Sequence, residues 1–266
     1  MNTHDLYAQS AELDDATAAM LADRLEIRGA DPRQHELWRD VLARPAYAEG
    51  SHVLEVGSGT GVFTERIAAL PGVAKTDGVD PSPFFVERAR RRAPHLHFEL
   101  ADGRSLPFED ASYDGVVLAT ALCHIPGPEV ALAEAFRVLR PGGSLLVYDG
   151  DYATATVAMT PYDPLQRCVD AAVAAMVHDP WIMRRLIPLV AAIGFEPGSM
   201  RSHGYLEVDA PVYTPTLVTA GADRLAADGV ISTATAAALK TEVADRVTTS
   251  RFFGHIAYAS LLATRP

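Results

Sequence analysis

Apolar residues follow two patterns along this chain, and the two patterns alternate in its first half. Short continuous apolar runs predict buried strands, whereas apolar residues three or four positions apart predict helices. Strands that alternate with helices form a parallel sheet with helices on both faces, so the pattern predicts an α/β fold. The predicted strands are 51–57, 75–80, 96–100, 115–119 and 144–149, and the helices between them are 61–70, 81–93 and 128–139.

The regions before and after this core are organised differently. Two helices, at 12–27 and 33–44, precede the first strand and are predicted to lie over the crevice of the sheet. A helix at 180–193 and strands at 199–208 and 252–264 later resume the core pattern. We therefore expect three regions, which are 1–50 (N-terminal helices), 51–151 (ligand-binding core) and 152–266 (rest of the sheet), with helical lid insertions at 152–178 and 209–250.

The most informative segment joins the first strand to the next helix. It reads Val-Leu-Glu-Val-Gly-Ser-Gly-Thr-Gly over residues 53–61. Glycine has no Cβ, so Gly57, Gly59 and Gly61 allow a tight turn and the close approach of a ligand to the backbone. A strand, a glycine loop and a helix at the head of an α/β sheet form a cofactor-binding crevice.

The same segment indicates which kind of cofactor fits. A dinucleotide site spaces its glycines as G-x-G-x-x-G, whereas the third glycine here comes one residue early. Glu55 would repel a pyrophosphate, and no Lys or Arg lies between Val53 and Glu65. These features disfavour a nicotinamide oxidoreductase. They favour a cationic ligand without phosphates, and S-adenosylmethionine, with its sulfonium and ammonium groups, is one.

Three segments, in this order, are similar to a known family. Residues 53–61, 106–114 and 136–143 resemble motifs of the class I S-adenosylmethionine-dependent methyltransferases, in the branch of the ubiquinone/menaquinone biosynthesis methylases. The resemblance covers roughly residues 24–150. It implies S-adenosylmethionine as cofactor and a seven-stranded Rossmann-like sheet of order 3-2-1-4-5-7-6, whose last strand is antiparallel.

Candidate ligand residues lie where the parallel strands end, because ligands of such sheets bind beyond the carboxyl ends of the strands. By resemblance, Asp80 would bind the ribose hydroxyls and Asp102 the adenine amino group. Arg28 either pairs with the methionine carboxylate or is a solvated residue at a helix end. The predicted cofactor-binding residues are Arg28, Glu55, Gly57, Ser58, Gly59, Gly61, Asp80, Pro81, Ala101, Asp102, Gly103 and Ala119.

Methyl transfer requires little covalent help, because a sulfonium is already an activated electrophile. The protein must align the acceptor, exclude water and sometimes remove a proton. His124, after the fourth strand, is a candidate general base or only a polar wall of the site. Asp149 and Asp151 are predicted at the end of the fifth strand, where Asp151 is the second candidate catalytic residue and a loop cap is the alternative. No histidine or cysteine pattern has metal-ligand spacing.

Charge and composition limit the partners. The net charge of −11 disfavours nucleic acid and anionic membranes. Cys123 and Cys168 make no disulfide framework, no apolar stretch approaches the length of a membrane span, and the N-terminus is polar and acidic, so we expect a cytoplasmic protein. A homodimer remains open.

The sequence therefore predicts a methyltransferase that acts on O, N or C of a small-molecule metabolite. A protein of the same fold that binds S-adenosylmethionine without transferring its methyl group, as a cyclase or a binding subunit, is the alternative. The cofactor-binding half would have the same sequence features in both cases, so the sequence leaves this alternative open.

Overall fold

The computed structural model describes residues 5–266, and its strands form one seven-stranded sheet. The sheet order is β3-β2-β1-β4-β5-β7-β6, and β7 is antiparallel to both β5 and β6. The predicted fold class, strand order and antiparallel last strand are therefore confirmed. The strands are β1 (Ser51–Val56), β2 (Val73–Asp80), β3 (His97–Leu100), β4 (Tyr113–Ala119), β5 (Leu139–Thr156), β6 (Glu196–Glu207) and β7 (Gly254–Thr264).

Nine α-helices accompany the sheet within residues 5–266, and several begin at an Asp or Ser followed by Pro. The side chains of Asp31 and Asp163 each accept a hydrogen bond from a backbone N–H group in the first turn of the following helix. Such N–H groups have no partner within the helix itself. A proline in the first turn has no N–H to satisfy. The helices are α1 (Asp15–Ala30), α2 (Pro32–Leu42), α3 (Val62–Ala68), α4 (Pro83–Arg92), α5 (Pro128–Val138), α6 (Pro164–Met176), α7 (Ile182–Ile193), α8 (Thr214–Ala227) and α9 (Thr233–Thr248).

The central strands explain the continuous apolar runs of the sequence. In β4 the segment 115–119 is buried throughout, because β4 lies between β1 and β5 and helices cover both faces of the sheet. In β1, Val53 and Leu54 have no exposed surface. This rigid centre places the carboxyl ends of β1, β2 and β4 side by side.

The fifth strand is much longer than predicted. It runs to Thr156 rather than ending at residue 149, and Asp151 pairs with Ala257 of β7 inside the strand. Across the register shift that follows, Thr154 Oγ1 accepts a hydrogen bond from the backbone N–H of Ala257 (2.9 Å). The apolar run ends early because only two side chains of the extension after Asp151, those of Tyr152 and Ala155, are buried.

Helices α6, α8 and α9 pack together beyond β5. Asp163, the N-cap of α6, forms a buried ion pair with Arg246 of α9 (2.6 Å). Helix α6 begins at Pro164, within the segment 152–178 that was predicted as a helical insertion. No helix in the described range is both long and apolar enough to span a bilayer.

Candidate functional site

A cavity of about 310 Å³ opens at the carboxyl ends of β1, β2 and β4. Its volume lies at the lower end of the range typical of small-molecule sites. The glycine loop forms one wall, and the segment 7–12 lies across it. The predicted residues that line it are Arg28, Glu55, Gly57, Ser58, Gly59, Asp80, Pro81, Asp102, Gly103, Ala119 and His124.

The glycine loop turns sharply at the end of β1. Gly57 has a φ of 78° and Gly59 a φ of 52°, in the left-handed region. The backbone N–H groups of Gly57 and Ser58 both donate to the carbonyl of Val79 in β2 (2.8 and 2.9 Å), which ties the loop to the neighbouring strand. Gly61 does not line the cavity; it is the N-cap of α3 and packs beneath Phe98.

Two hydroxyl groups of this loop have no partner. Ser58 Oγ and Thr60 Oγ1 are buried and make no hydrogen bond within residues 5–266. Both residues line the cavity. Because buried hydroxyl groups normally find a partner, these two fit a ligand that carries polar atoms.

Asp80 organises the loop from the end of β2. Its Oδ2 accepts the N–H of Gly59 (2.9 Å), and its Oδ1 accepts the N–H of Ser82 (2.9 Å). Burial raises the pKa of Asp80 to about 6. Each carboxylate oxygen has a second lone pair, so Asp80 can also accept from hydroxyl groups of a ligand.

Glu55 is more deeply buried than its sequence position suggests. Thr64 Oγ1 donates to its Oε2 (2.5 Å), and burial raises the pKa of Glu55 to about 8. The protonated form therefore predominates at pH 7. From the sequence, Glu55 was expected to be an anion, whereas in the folded protein its carboxyl group is largely neutral until a cation approaches.

Asp102 lies at the edge of the cavity with an unpredicted partner. Its carboxylate pairs with Arg104 (2.6 Å), and this guanidinium lowers the pKa of Asp102. Arg104 also lines the cavity. Ala101, by contrast, does not line it; its backbone N–H donates to the carbonyl of Asp80 (3.1 Å) and its side chain packs on the core.

Arg28 approaches the cavity from the last turn of α1. Its Nη2 donates to Thr120 Oγ1 (2.8 Å), and it forms no ion pair with a carboxylate among residues 5–266. Thr120 follows β4 with a φ of 52°, which turns the chain towards the cavity. A partly buried guanidinium without a counter-ion can hold an anionic group of a ligand.

His124 is held by a residue that sequence reasoning missed. Asp5 Oδ2 lies 2.7 Å from His124 Nδ1, and the same oxygen accepts the backbone N–H of His178 (2.8 Å). Asp5 is fully buried. This arrangement leaves His124 Nε2 without a hydrogen-bond partner in the described chain, and the ring lines the cavity. No local signal marks Asp5, because it is 119 residues away in the sequence.

The structure does not bring Asp151 to the cavity. Because β5 continues past it, Asp151 lies within the strand and its carboxylate pairs with Arg184 of α7 (2.9 Å). Asp149 is fully buried and accepts the N–H of Cys123 (3.0 Å) and that of Gly150 (2.8 Å). Burial raises its pKa. These two carboxylates therefore do not form the catalytic pair expected from the sequence.

A second, smaller cavity of about 50 Å³ adjoins the first. Five residues line both, namely Tyr7, Leu25, Arg28, Thr120 and His124. The smaller cavity extends between α1, α6 and α8. Other lining residues that the sequence did not single out for the two cavities include Trp38, Phe63, Phe85, Tyr152, Val173, Tyr213 and Leu217.

Metal chemistry has no visible basis in the described residues. No group of three or more His, Cys, Asp or Glu side chains that could hold an ion occurs within residues 5–266. The polar groups of the larger cavity instead suit an organic ligand with hydroxyl and carboxylate groups.

Comparisons with known proteins agree with this geometry. Residues 54–147 match the family described as Methyltransferase domain. The O-methyltransferase cnsE of Penicillium expansum is 40% identical over 119 residues, which are 42% of this chain and 43% of that protein. The ubiquinone/menaquinone biosynthesis C-methyltransferase UbiE of Rhizobium etli (strain CIAT 652) is 37% identical over 125 residues, which are 43% of this chain and 48% of that protein.

The matches thus span about half the length of these curated relatives. The crystal structure of a methyltransferase candidate from Bacillus halodurans C-125 has a TM-score of 0.59 at 19% identity and covers 86% of this chain and 98% of its own, a likeness of fold. Residues 54–147 therefore match a methyltransferase domain, and this part of the chain resembles the ubiquinone/menaquinone biosynthesis methyltransferases.

Proposed function

We propose that this protein transfers a methyl group from S-adenosylmethionine to a small-molecule acceptor. The observation that carries the proposal is the cavity at the glycine loop of a methyltransferase domain, with Asp80, an unpaired Arg28 and two unpartnered hydroxyl groups around it. The net charge of −11 supports a small acceptor rather than a nucleic acid.

Each group of the cofactor has a chemically suitable partner. Asp80 would accept from the ribose hydroxyls, and Arg28 would hold the methionine carboxylate. Ser58 and Thr60 would bond to the remaining polar atoms. Asp102 would accept from the adenine amino group at the edge of the cavity. Gly57, Gly59, Pro81, Gly103 and Ala119 would form the surface against which the nucleoside packs.

The bound cofactor supplies an electrophilic methyl group, and the chain supplies alignment and a proton acceptor. Alignment of two reactants can lower the barrier by roughly 7–11 kcal/mol at best. His124, oriented through Asp5, would take a proton from the acceptor at Nε2. Asp151 has no part in this mechanism, because it lies within β5 outside the cavity and its carboxylate pairs with Arg184.

Methyl release tests the proposal directly. The full chain, incubated with methyl-labelled S-adenosylmethionine and a panel of hydroxylated and amino metabolites, should produce S-adenosylhomocysteine and a labelled product. Binding of the cofactor without transfer to any acceptor would favour the non-methylating alternative. Binding of NADH in place of S-adenosylmethionine would contradict both.

The methylated atom, a cytoplasmic location, a homodimer and the lack of nucleic-acid or membrane partners stay predictions.

Replacing Asp80 with alanine should weaken S-adenosylhomocysteine binding by about 10- to 100-fold, because hydrogen bonds to a charged group contribute about 1.5–3 kcal/mol. Titration calorimetry measures the change. Asp77→Ala is the matched control: Asp77 is equally buried on the same strand but binds His52 and Tyr113 away from the cavity. An equal loss of affinity in both folded variants would contradict the ribose role of Asp80.

The preference for S-adenosylmethionine over S-adenosylhomocysteine should rise with pH between about 6 and 8. Burial places the pKa of Asp80 at about 6 and that of Glu55 at about 8. A sulfonium favours the ionised carboxylates, so its binding releases protons and strengthens as pH rises. The ratio of the two affinities isolates the sulfonium, since both ligands carry the same amino acid and nucleoside. Glu55→Gln should flatten the upper part of this rise; a ratio independent of pH in the wild type would contradict the argument.

A further inference from the structure

The smaller cavity carries positive charge in a protein that is strongly acidic overall. Arg24 and Arg28 both line it, whereas no carboxylate is among its lining residues in the described chain. The two arginines are four positions apart on α1, so they lie on the same face of the helix. The net charge of the whole protein is −11. This local excess of cations therefore requires an explanation of its own.

The acidic residues of α1 do not neutralise these arginines. Asp23 pairs with Arg88 (2.7 Å), and Glu26 pairs with both Arg88 (2.8 Å) and Arg92 (3.1 Å) of α4. The two α1 carboxylates that flank Arg24 in the sequence are thus engaged with α4. The guanidinium of Arg24 has no hydrogen bond or ion pair within residues 5–266, and that of Arg28 bonds only to Thr120.

Three tyrosine hydroxyl groups in this cavity can donate hydrogen bonds to a bound anion. Tyr7, Tyr152 and Tyr213 line it. Burial raises the pKa of Tyr7 to about 12 and also raises the pKa of Tyr213. Their hydroxyl groups therefore stay protonated near neutral pH and can donate. Apolar side chains of α6 and α8 complete the wall, and the volume of about 50 Å³ limits the occupant to a compact group.

We propose that this cavity selects a methyl acceptor that is a compact hydroxy acid, with its carboxylate on Arg24 and its reacting hydroxyl group at His124 Nε2. The inference rests on the proposed function. With Arg28 engaged by the cofactor, an ammonium group would still meet the guanidinium of Arg24 and no carboxylate side chain among the lining residues, so amines should be rejected. In the reaction the hydroxyl proton moves to His124, the acceptor oxygen forms the new O–CH₃ bond, and the electron pair of the broken S–CH₃ bond stays on sulfur.

Two pairs of probes test the charge preference on the full chain loaded with S-adenosylhomocysteine. The pairs are 4-hydroxybenzoate against 4-hydroxybenzylamine and 4-hydroxyphenylacetate against tyramine. In each pair the ring and hydroxyl group are the same and the charge is reversed. Calorimetry should show the acid binding at least about 10-fold more tightly than the amine, the lower end of what a charged hydrogen bond contributes.

Substitution of Arg24 assigns the preference to this cavity. Arg24→Gln should weaken acid binding by about 10- to 100-fold and leave S-adenosylhomocysteine affinity unchanged, while Arg24→Lys should keep the preference for acids. Arg167→Gln, which removes an exposed charge outside both cavities, is the matched control. The unchanged nucleoside affinity also shows that each variant is folded.

The outcomes separate the two proposals. If S-adenosylhomocysteine binds but the amines match or exceed the acids, or if Arg24→Gln leaves acid affinity unchanged, the hydroxy-acid inference is overturned and the methyltransferase proposal stands. If S-adenosylhomocysteine itself does not bind the wild-type chain, the proposed function fails, and the inference fails with it.

Discussion

Gly57→Ala is expected to abolish nucleoside binding and to lower the stability of the fold. The φ of 78° at Gly57 disfavours any residue with a Cβ, at a cost of about 1–2 kcal/mol. A Cβ built there would lie 2.4 Å from Cβ of Ala121, and crowding of this kind typically costs about 1–3 kcal/mol. Relief requires the loop or the segment after β4 to move, and both line the cavity. Calorimetry with S-adenosylhomocysteine and thermal unfolding measure the two effects.

Gly142→Ala separates backbone strain from crowding. Gly142 has a φ of 80°, nearly that of Gly57, but nothing lies within 4 Å of a Cβ built on it, and it lies outside the cavity. This variant should lose only the stability that the left-handed conformation costs and should bind the nucleoside normally. Normal binding by Gly57→Ala would show that the loop tolerates displacement and that the close packing of its backbone is not needed for the ligand.

His124→Ala is expected to lower kcat by about 10²- to 10⁴-fold, the range that general acid–base catalysis contributes. The affinity for S-adenosylhomocysteine should change little, because the proposed contact of His124 is with the acceptor. Asp5→Asn should also lower kcat, since the buried carboxylate orients the ring through Nδ1. Single-turnover methyl transfer at saturating cofactor measures both effects.

A structural role for Asp5 must be distinguished from this orienting role. Its carboxylate also accepts the backbone N–H groups of Tyr7 (2.9 Å) and His178 (2.8 Å), so its replacement loosens the N-terminal segment as well. Loosening alone should raise KM, whereas loss of orientation should lower kcat. His178→Ala, which keeps the backbone contact and removes only an imidazole, is the control. A rise in KM without any fall in kcat in Asp5→Asn would show that Asp5 has no role in proton transfer.

The parts of the site that could be predicted from the sequence are those formed by residues close together along the chain. Strand, glycine loop and helix follow one another within residues 53–61, and the end of β2 brings Asp80 beside the loop. Parallel pairing then places these strand ends together, so their proximity follows from strand order. Gly61 and Ala101 belong to the same local motifs but do not line the cavity, because Gly61 begins α3 against Phe98 and the Ala101 side chain packs on the core.

The electrostatic state of the site depended on burial rather than on sequence position. Glu55 was expected to be an anion from its place at the end of a strand. In the fold, only 1% of the surface of Glu55 is exposed, and burial raises the pKa of its carboxyl group to about 8. Asp151 was expected in the crevice, and the antiparallel partner β7 extended β5 beyond it. Neither outcome could be read from neighbouring residues.

By itself, the sequence determined the α/β order, the glycine loop and the strand-end acids, since each depends on residues that are close along the chain or on alternating patterns. Only the tertiary structure decided which groups complete the site. It joined Asp5 to His124 across 119 residues, left Arg24 and Arg28 without carboxylate partners, and paired Asp151 with Arg184. Such pairings depend on how helices pack over the sheet, and burial then changes the charge of the groups involved.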